Sequence, residues 1–68
     1  MRIIVYERGD KMKHRDLIKL LEKNGWYYLR DGGRHDIYTN GTYSEPIPRH
    51  REINENLAKS IIKKYGLK

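Results

Sequence analysis

The chain has 68 residues, with 15 Lys and Arg against 9 Asp and Glu for a formal net charge of +6. That length allows a single domain that buries only about 60% of its unfolded surface, which leaves no room for a deep catalytic cleft. The absence of cysteine excludes disulfides and thiolate zinc sites and fits a cytoplasmic location, while the basic balance points to nucleic acid, an acidic protein or an anionic surface as partner.

The opening residues stand apart from the rest. Ile3, Ile4, Val5 and Tyr6 have strand character and Arg8-Gly9-Asp10 reads as a turn, so residues 1–11 are expected to form an N-terminal extension, either an arm or an edge strand, ahead of a domain over residues 12–68. The run Ile3–Tyr6 is also the longest purely apolar one, far short of the roughly 20 residues of a membrane span. It is likewise too short for a secretory signal.

Lys13 to Asn24 has the spacing of an amphipathic helix. Leu17, Leu20 and Leu21 fall at i, i+3 and i+4, Ile18 widens the stripe, and Lys13, Arg15, Lys19, Glu22 and Lys23 cover much of the remainder. Asp16 suits the positive end of the helix dipole, and Gly25 supplies the stop. Trp26 to Arg30 is aromatic and strand-like. Asp31 to Arg34 is a turn in which Gly32 and Gly33 offer positive φ. His35 to Thr39 is a second strand, Asn40-Gly41 signals a type I′ hairpin, and Thr42 to Ile47 is a third strand that Pro46 and Pro48 mark as an edge.

Pro48 to Asn54 reads as a loop carrying Arg49, His50 and Arg51. A second helix follows from Glu55 to Tyr65, with Asn54 as N-cap and Gly66 at its end. Leu57, Ala58, Ile61, Ile62 and Tyr65 form its apolar face, and Leu67 folds back on the last turn. The predicted order is α-β-β-β-α. Its compact solution is an α+β fold with two helices on one face of a three-stranded antiparallel sheet.

His35 is the candidate for chemistry. Histidine exchanges protons near neutral pH, and a loop-to-strand edge keeps it within reach of a ligand. In RNA the 2′-hydroxyl can attack the adjacent phosphorus. A general base that takes its proton, or an acid that protonates the leaving 5′-oxygen, contributes about 10²–10⁴-fold. Arg34 and Arg30 are the nearby cations for charge gathering on the phosphoryl oxygens. Gly33, Arg34, Arg49, His50 and Arg51 are the candidate RNA contacts, the last three as a phosphate clamp ahead of the second helix. Tyr27, Tyr28, Tyr38 and Tyr43 have the chemistry to stack bases, and equally that of a small sheet's core. His14, His35 and His50 lack metal-ligand spacing, so no metal or other cofactor is expected.

From Met12 onward the chain resembles the HicA toxin family of bacterial toxin–antitoxin pairs. The residues that carry the resemblance are Asp16 to Trp26 as the opening helix and its following aromatic, Gly33-Arg34-His35 as a glycine-x-histidine signature, Ile47-Pro48-Arg49-His50 leaving the third strand, and Leu57 to Leu67 as the closing helix. Arg34 stands where a serine is common, Gly32 where a lysine often precedes, and Asp36 where a second histidine often follows. The resemblance implies a fold like the double-stranded-RNA-binding domain. It further implies a type II toxin that is a ribosome-independent mRNA interferase, with His35 as its catalytic group, and a cognate HicB antitoxin that masks that histidine. The expected enzyme is therefore a metal-independent endoribonuclease acting on mRNA. Two alternatives are a non-catalytic RNA-binding module of the same fold and a protein-interaction domain that meets an acidic partner.

Overall fold

The structure is a computed structural model and describes residues 11–68, so the strand and turn expected before Lys11 lie outside the described residues. In chain order the elements are β1 (Lys11–Lys13), α1 (His14–Lys23), β2 (Tyr27–Asp31), β3 (His35–Thr39), β4 (Ser44–Pro48), β5 (Glu52–Asn54) and α2 (Glu55–Tyr65). The expected α-β-β-β-α order is present, with β2, β3 and β4 as an antiparallel meander in that spatial order. A second sheet of two strands, β1 and β5, was not expected.

That small ribbon pairs Lys11 with Asn54, Met12 with Ile53 and Lys13 with Glu52. The middle pair faces inward and is almost fully buried, and the outer residues are exposed. Lys11, read from sequence as the end of the extension, is therefore part of this ladder. Residues 52–54, read as loop, are its other strand. The backbone N–H of His14 donates to the Arg51 carbonyl at 2.8 Å and prolongs the pairing to the helix start. Each helix begins at the residue after a ribbon strand, and because the strands are antiparallel the two helices leave from opposite ends of the ribbon.

Both helices end in the same way. Gly25 N–H donates to the Glu22 carbonyl and Trp26 N–H to that of Leu21; Gly66 N–H donates to Lys63 and Leu67 N–H to Ile62. These are the paired bonds of a Schellman motif, whose following residue packs back onto the helix. Here those following residues are Trp26 and Leu67, and both are buried. The capping that stops each helix thus also delivers an apolar side chain to the core. At its other end α2 is capped as expected, the Asn54 side chain accepting from the N–H groups of Asn56 and Leu57.

The core joins Leu17 and Leu21 of α1, Ala58 and Ile61 of α2, Tyr38 and Ile47 of the sheet, and Met12 and Ile53 of the ribbon, with Trp26 and Leu67. Tyr38 and Ile47 lie on one face of the meander, so both helices cover that face. Pro46 and Pro48 lie in β4, which among the described residues pairs only with β3. Being two residues apart, they share a phase of the ladder and leave their missing N–H groups on the outer edge.

Two turn details differ from the sequence reading. Thr39 pairs with Ser44, and Asn40 N–H donates to the Tyr43 carbonyl, so the hairpin's central residues are Gly41 and Thr42. Gly41 has φ of 94° while no non-glycine residue among the described residues has positive φ, which excludes a type I′ turn at Asn40-Gly41. The Asn40 side chain explains the shift, because its Oδ1 accepts from the N–H groups of Thr42 and Tyr43. In the β2–β3 turn only Gly33 takes positive φ. Gly32 meets a different need, since a Cβ there would lie 2.7 Å from Ile37 Cδ1.

Replacing Ile53 by Ala should cost about 2–5 kcal/mol, because the site is walled by both helices and the ribbon and cannot collapse freely. Leu29→Ala, at an exposed position, should stay within about 0.5 kcal/mol. Urea denaturation of the two variants measures the contrast, and equal costs would show that the ribbon does not carry the core.

Candidate active site

His35 opens β3 directly after the glycine turn, half-buried, opposite Pro48 of β4. Strand side chains alternate between faces. Tyr38 packs under the helices, so His35, Ile37 and Thr39 belong to the open face. Tyr27 pairs with Thr39 and Arg30 with Ile37, which places an exposed aromatic ring and an exposed cation on the same face as His35. Arg30 reaches that face because of a bulge. The register slips between Tyr28 and Arg30, leaving Leu29 as the extra residue.

The other face of this corner is acidic. Asp31 and Asp36 sit directly opposite each other as the last pair of the β2–β3 ladder. Like charges so placed repel, and Arg49 lies between them. Its Nε donates to Asp36 Oδ1 at 2.8 Å and its Nη2 to Asp31 Oδ1. The same Asp31 oxygen accepts the Gly33 N–H at 2.8 Å, and the His35 carbonyl accepts the Gly32 N–H at 2.8 Å. The hydrogen bond from Gly33 and then the Arg49 guanidinium hold the Asp31 carboxyl below its ordinary value. Asp36 and then Asp31 push Arg49 higher still.

The sequence-predicted contacts therefore divide. Gly33 and Arg34 are exposed in the turn beside His35, and His50 is exposed in the segment between β4 and β5. Arg49 has its fork engaged by two carboxylates. Arg51 neighbours the start of α1 rather than that of α2, because β5 intervenes. With Lys13, His14, Arg15 and Glu52 it lines a cavity of about 410 Å³. The phosphate clamp expected at the start of α2 is not assembled there, since the Asn54 side chain already occupies the first amides of that helix.

The tyrosines divide as well. Tyr38 is buried and meets Tyr28 edge-on, with centroids 5.9 Å apart. Tyr43 leans on Tyr65 at 5.8 Å, and Tyr65 stands edge-on to Trp26 at 4.7 Å. The Tyr65 hydroxyl donates to Glu45 at 2.6 Å, which raises its pKa. Tyr27 is the one of the four candidate stacking residues placed on the His35 face and exposed there. No three His, Cys, Asp or Glu side chains converge as metal ligands among the described residues. Nor is any helix among them long and apolar enough to cross a membrane.

Sequence reasoning missed the Asp31–Arg49–Asp36 arrangement. The signal was present in two acids that flank the turn symmetrically, but only the β4 register brings Arg49 to them.

Fold and site together define a class of small basic α+β domains in which one sheet face packs two helices and the other presents a histidine at a strand end. The sequence model of the family described as HicA toxin of bacterial toxin-antitoxin matches residues 14–67, and the chain belongs to that family. HicA toxins act within toxin–antitoxin systems and pair with HicB antitoxins. No curated protein and no solved structure matches the chain.

A carboxyl held below its ordinary value adds stability that is full above that value and is lost as pH falls through the folded-state pKa. For Asp31 the ordinary value is 3.8. The melting temperature of the parent should therefore exceed that of the Asp31→Asn variant near neutral pH, and the gap should close as pH drops below about 4. A gap independent of pH in thermal melts would show that the charge on Asp31 is not what matters.

Proposed function

We propose that the chain is the ribosome-independent mRNA interferase of a type II toxin–antitoxin system, with His35 as its proton-transfer group and no metal in the step. The observation that carries this reading is the placement of His35 on the open sheet face, at a turn anchored from the opposite side, on the same face as Arg30 and Tyr27. Such a face admits an RNA strand without a deep cleft. An exposed ring stacks a base at about 1–3 kcal/mol in a sequence-tolerant way, and cations follow the phosphates.

In the proposed step the 2′-oxygen forms a bond to phosphorus as the bond to the 5′-oxygen breaks. The products are a 2′,3′-cyclic phosphate and a 5′-hydroxyl. One proton leaves the 2′-oxygen and one reaches the 5′-oxygen, and His35 mediates a transfer as base or acid. Arg34 and Arg30 are the cations proposed to stabilise the phosphoryl oxygens. Arg51 and its basic neighbours around the cavity at the start of α1 supply a second place for the RNA backbone, and His50 lies in the segment between. The mRNA substrate and the masking of His35 by the HicB antitoxin belong to the same proposal.

Induced expression of the chain should arrest growth with loss of mRNA. His35→Ala should abolish both while the purified variant keeps its circular dichroism and most of its RNA affinity, since general acid–base catalysis is worth about 10²–10⁴-fold and the contact area is elsewhere. Equal behaviour of parent and variant would remove His35 from the mechanism. Binding without cleavage by the parent would leave an RNA-binding module.

A further inference from the structure

We propose that Arg49 is the positioning residue for His35, acting by clamping both ends of the β2–β3 turn; this rests on reading His35 as the proton-transfer group. Arg49 has the chemistry of a phosphate contact, yet its geometry serves another purpose. Pro48, the residue before it, pairs with His35 as the last residue of β4, and its missing N–H falls on the outer edge, so the β3–β4 ladder ends at the level of the histidine. Beyond this point the tie between β4 and the turn is the Arg49 side chain.

One prong of the guanidinium holds Asp36, the residue after His35. The other holds Asp31, the last residue of β2, and lies 3.5 Å from the His35 carbonyl. Asp31 passes the constraint on, because the same oxygen accepts the Gly33 N–H. The four residues from Gly32 to His35 are thus closed at both ends by one planar cation. Arg49, Asp36 and Ile47 share the helix-side face, whereas His35 is on the open one. The clamp acts through the backbone and leaves the imidazole face clear for substrate.

A fork of this kind depends on guanidinium geometry. Lysine keeps the charge but cannot present two parallel donors to two carboxylates. Misplacing a reacting group by about 1 Å costs on the order of 10²-fold. The clamp can also be opened from its other side, with Arg49 retained, by Asp31→Asn combined with Asp36→Asn.

The test measures RNA cleavage at saturating RNA, RNA affinity as a function of salt, and the NMR signals of the His35 ring, at a temperature where circular dichroism shows every variant folded. Arg49→Lys and the double Asn variant should both lose about 10–100-fold in saturated rate, bind RNA no more weakly than the parent, and shift the His35 ring signals. A different pattern would make Arg49 a phosphate contact and overturn the proposal. In that pattern Arg49→Lys and Arg49→Met weaken binding, Arg49→Met lowers the salt slope by about one, and the double Asn variant cleaves like the parent. Rate losses that vanish once the variants are fully folded would also overturn it, leaving a purely structural role. If the parent cleaves no RNA, the functional reading fails separately, and the ring signals decide the clamp: movement in both variants supports it and no movement refutes it.

Discussion

Met12 and Ile53 face each other across a ladder three residues long, and the layout of the domain depends on that pair. In so small a chain the core holds few side chains, and the helices must be set against the sheet with little area to do it. The ribbon accomplishes this by geometry. Its two strands lead directly into the two helices, so pairing Met12 with Ile53 ties α1 and α2 to opposite ends of one ribbon, and their apolar residues join Tyr38 and Ile47 in the core. The Schellman ends then insert Trp26 and Leu67 from the opposite ends of those helices. Backbone hydrogen bonds here do more than satisfy polar groups, because each one also fixes where an apolar residue enters the core.

The same economy shapes the site. One face of the meander is used for the core and leaves the other available, and at the corner where β2 turns into β3 the two faces do different work. The helix-side face holds Asp31 and Asp36 bridged by the single cation of Arg49. The open face holds His35, Ile37, Arg30 and Tyr27. An exposed ion pair contributes little to global stability. Its value lies in fixing a four-residue turn that carries a single titratable ring, where position matters more than total free energy.

The basic charge is spread across the fold. Part of it is neutralised locally, Arg49 by two aspartates, Lys59 by Glu55 and Lys64 by Glu45. Another part gathers where the ribbon meets α1, around Lys13, His14, Arg15 and Arg51. That grouping combines a strand end, a helix start and the loop before β5.

Periodicity and capping chemistry in the sequence were enough to determine both helices, the three-stranded meander, the β4 edge, the Asn54 cap and the burial of Leu67. These features depend on neighbours within a few residues. The position of His35 at a strand start was legible for the same reason, although its face was not, because alternation leaves two choices until Tyr38 is known to pack inward. The tertiary structure alone decided the ribbon, since Lys11–Lys13 and Glu52–Asn54 each hold one apolar residue and show no strand signal by themselves. It also decided the one-residue shift of the hairpin, where the Asn40 side chain outcompetes the turn preference of the Asn-Gly pair. Finally, it decided that Arg49 meets Asp31 and Asp36 and that Arg51 stands by α1. Long-range pairing of this kind is set by what the core brings together, and no local pattern in the chain encodes it.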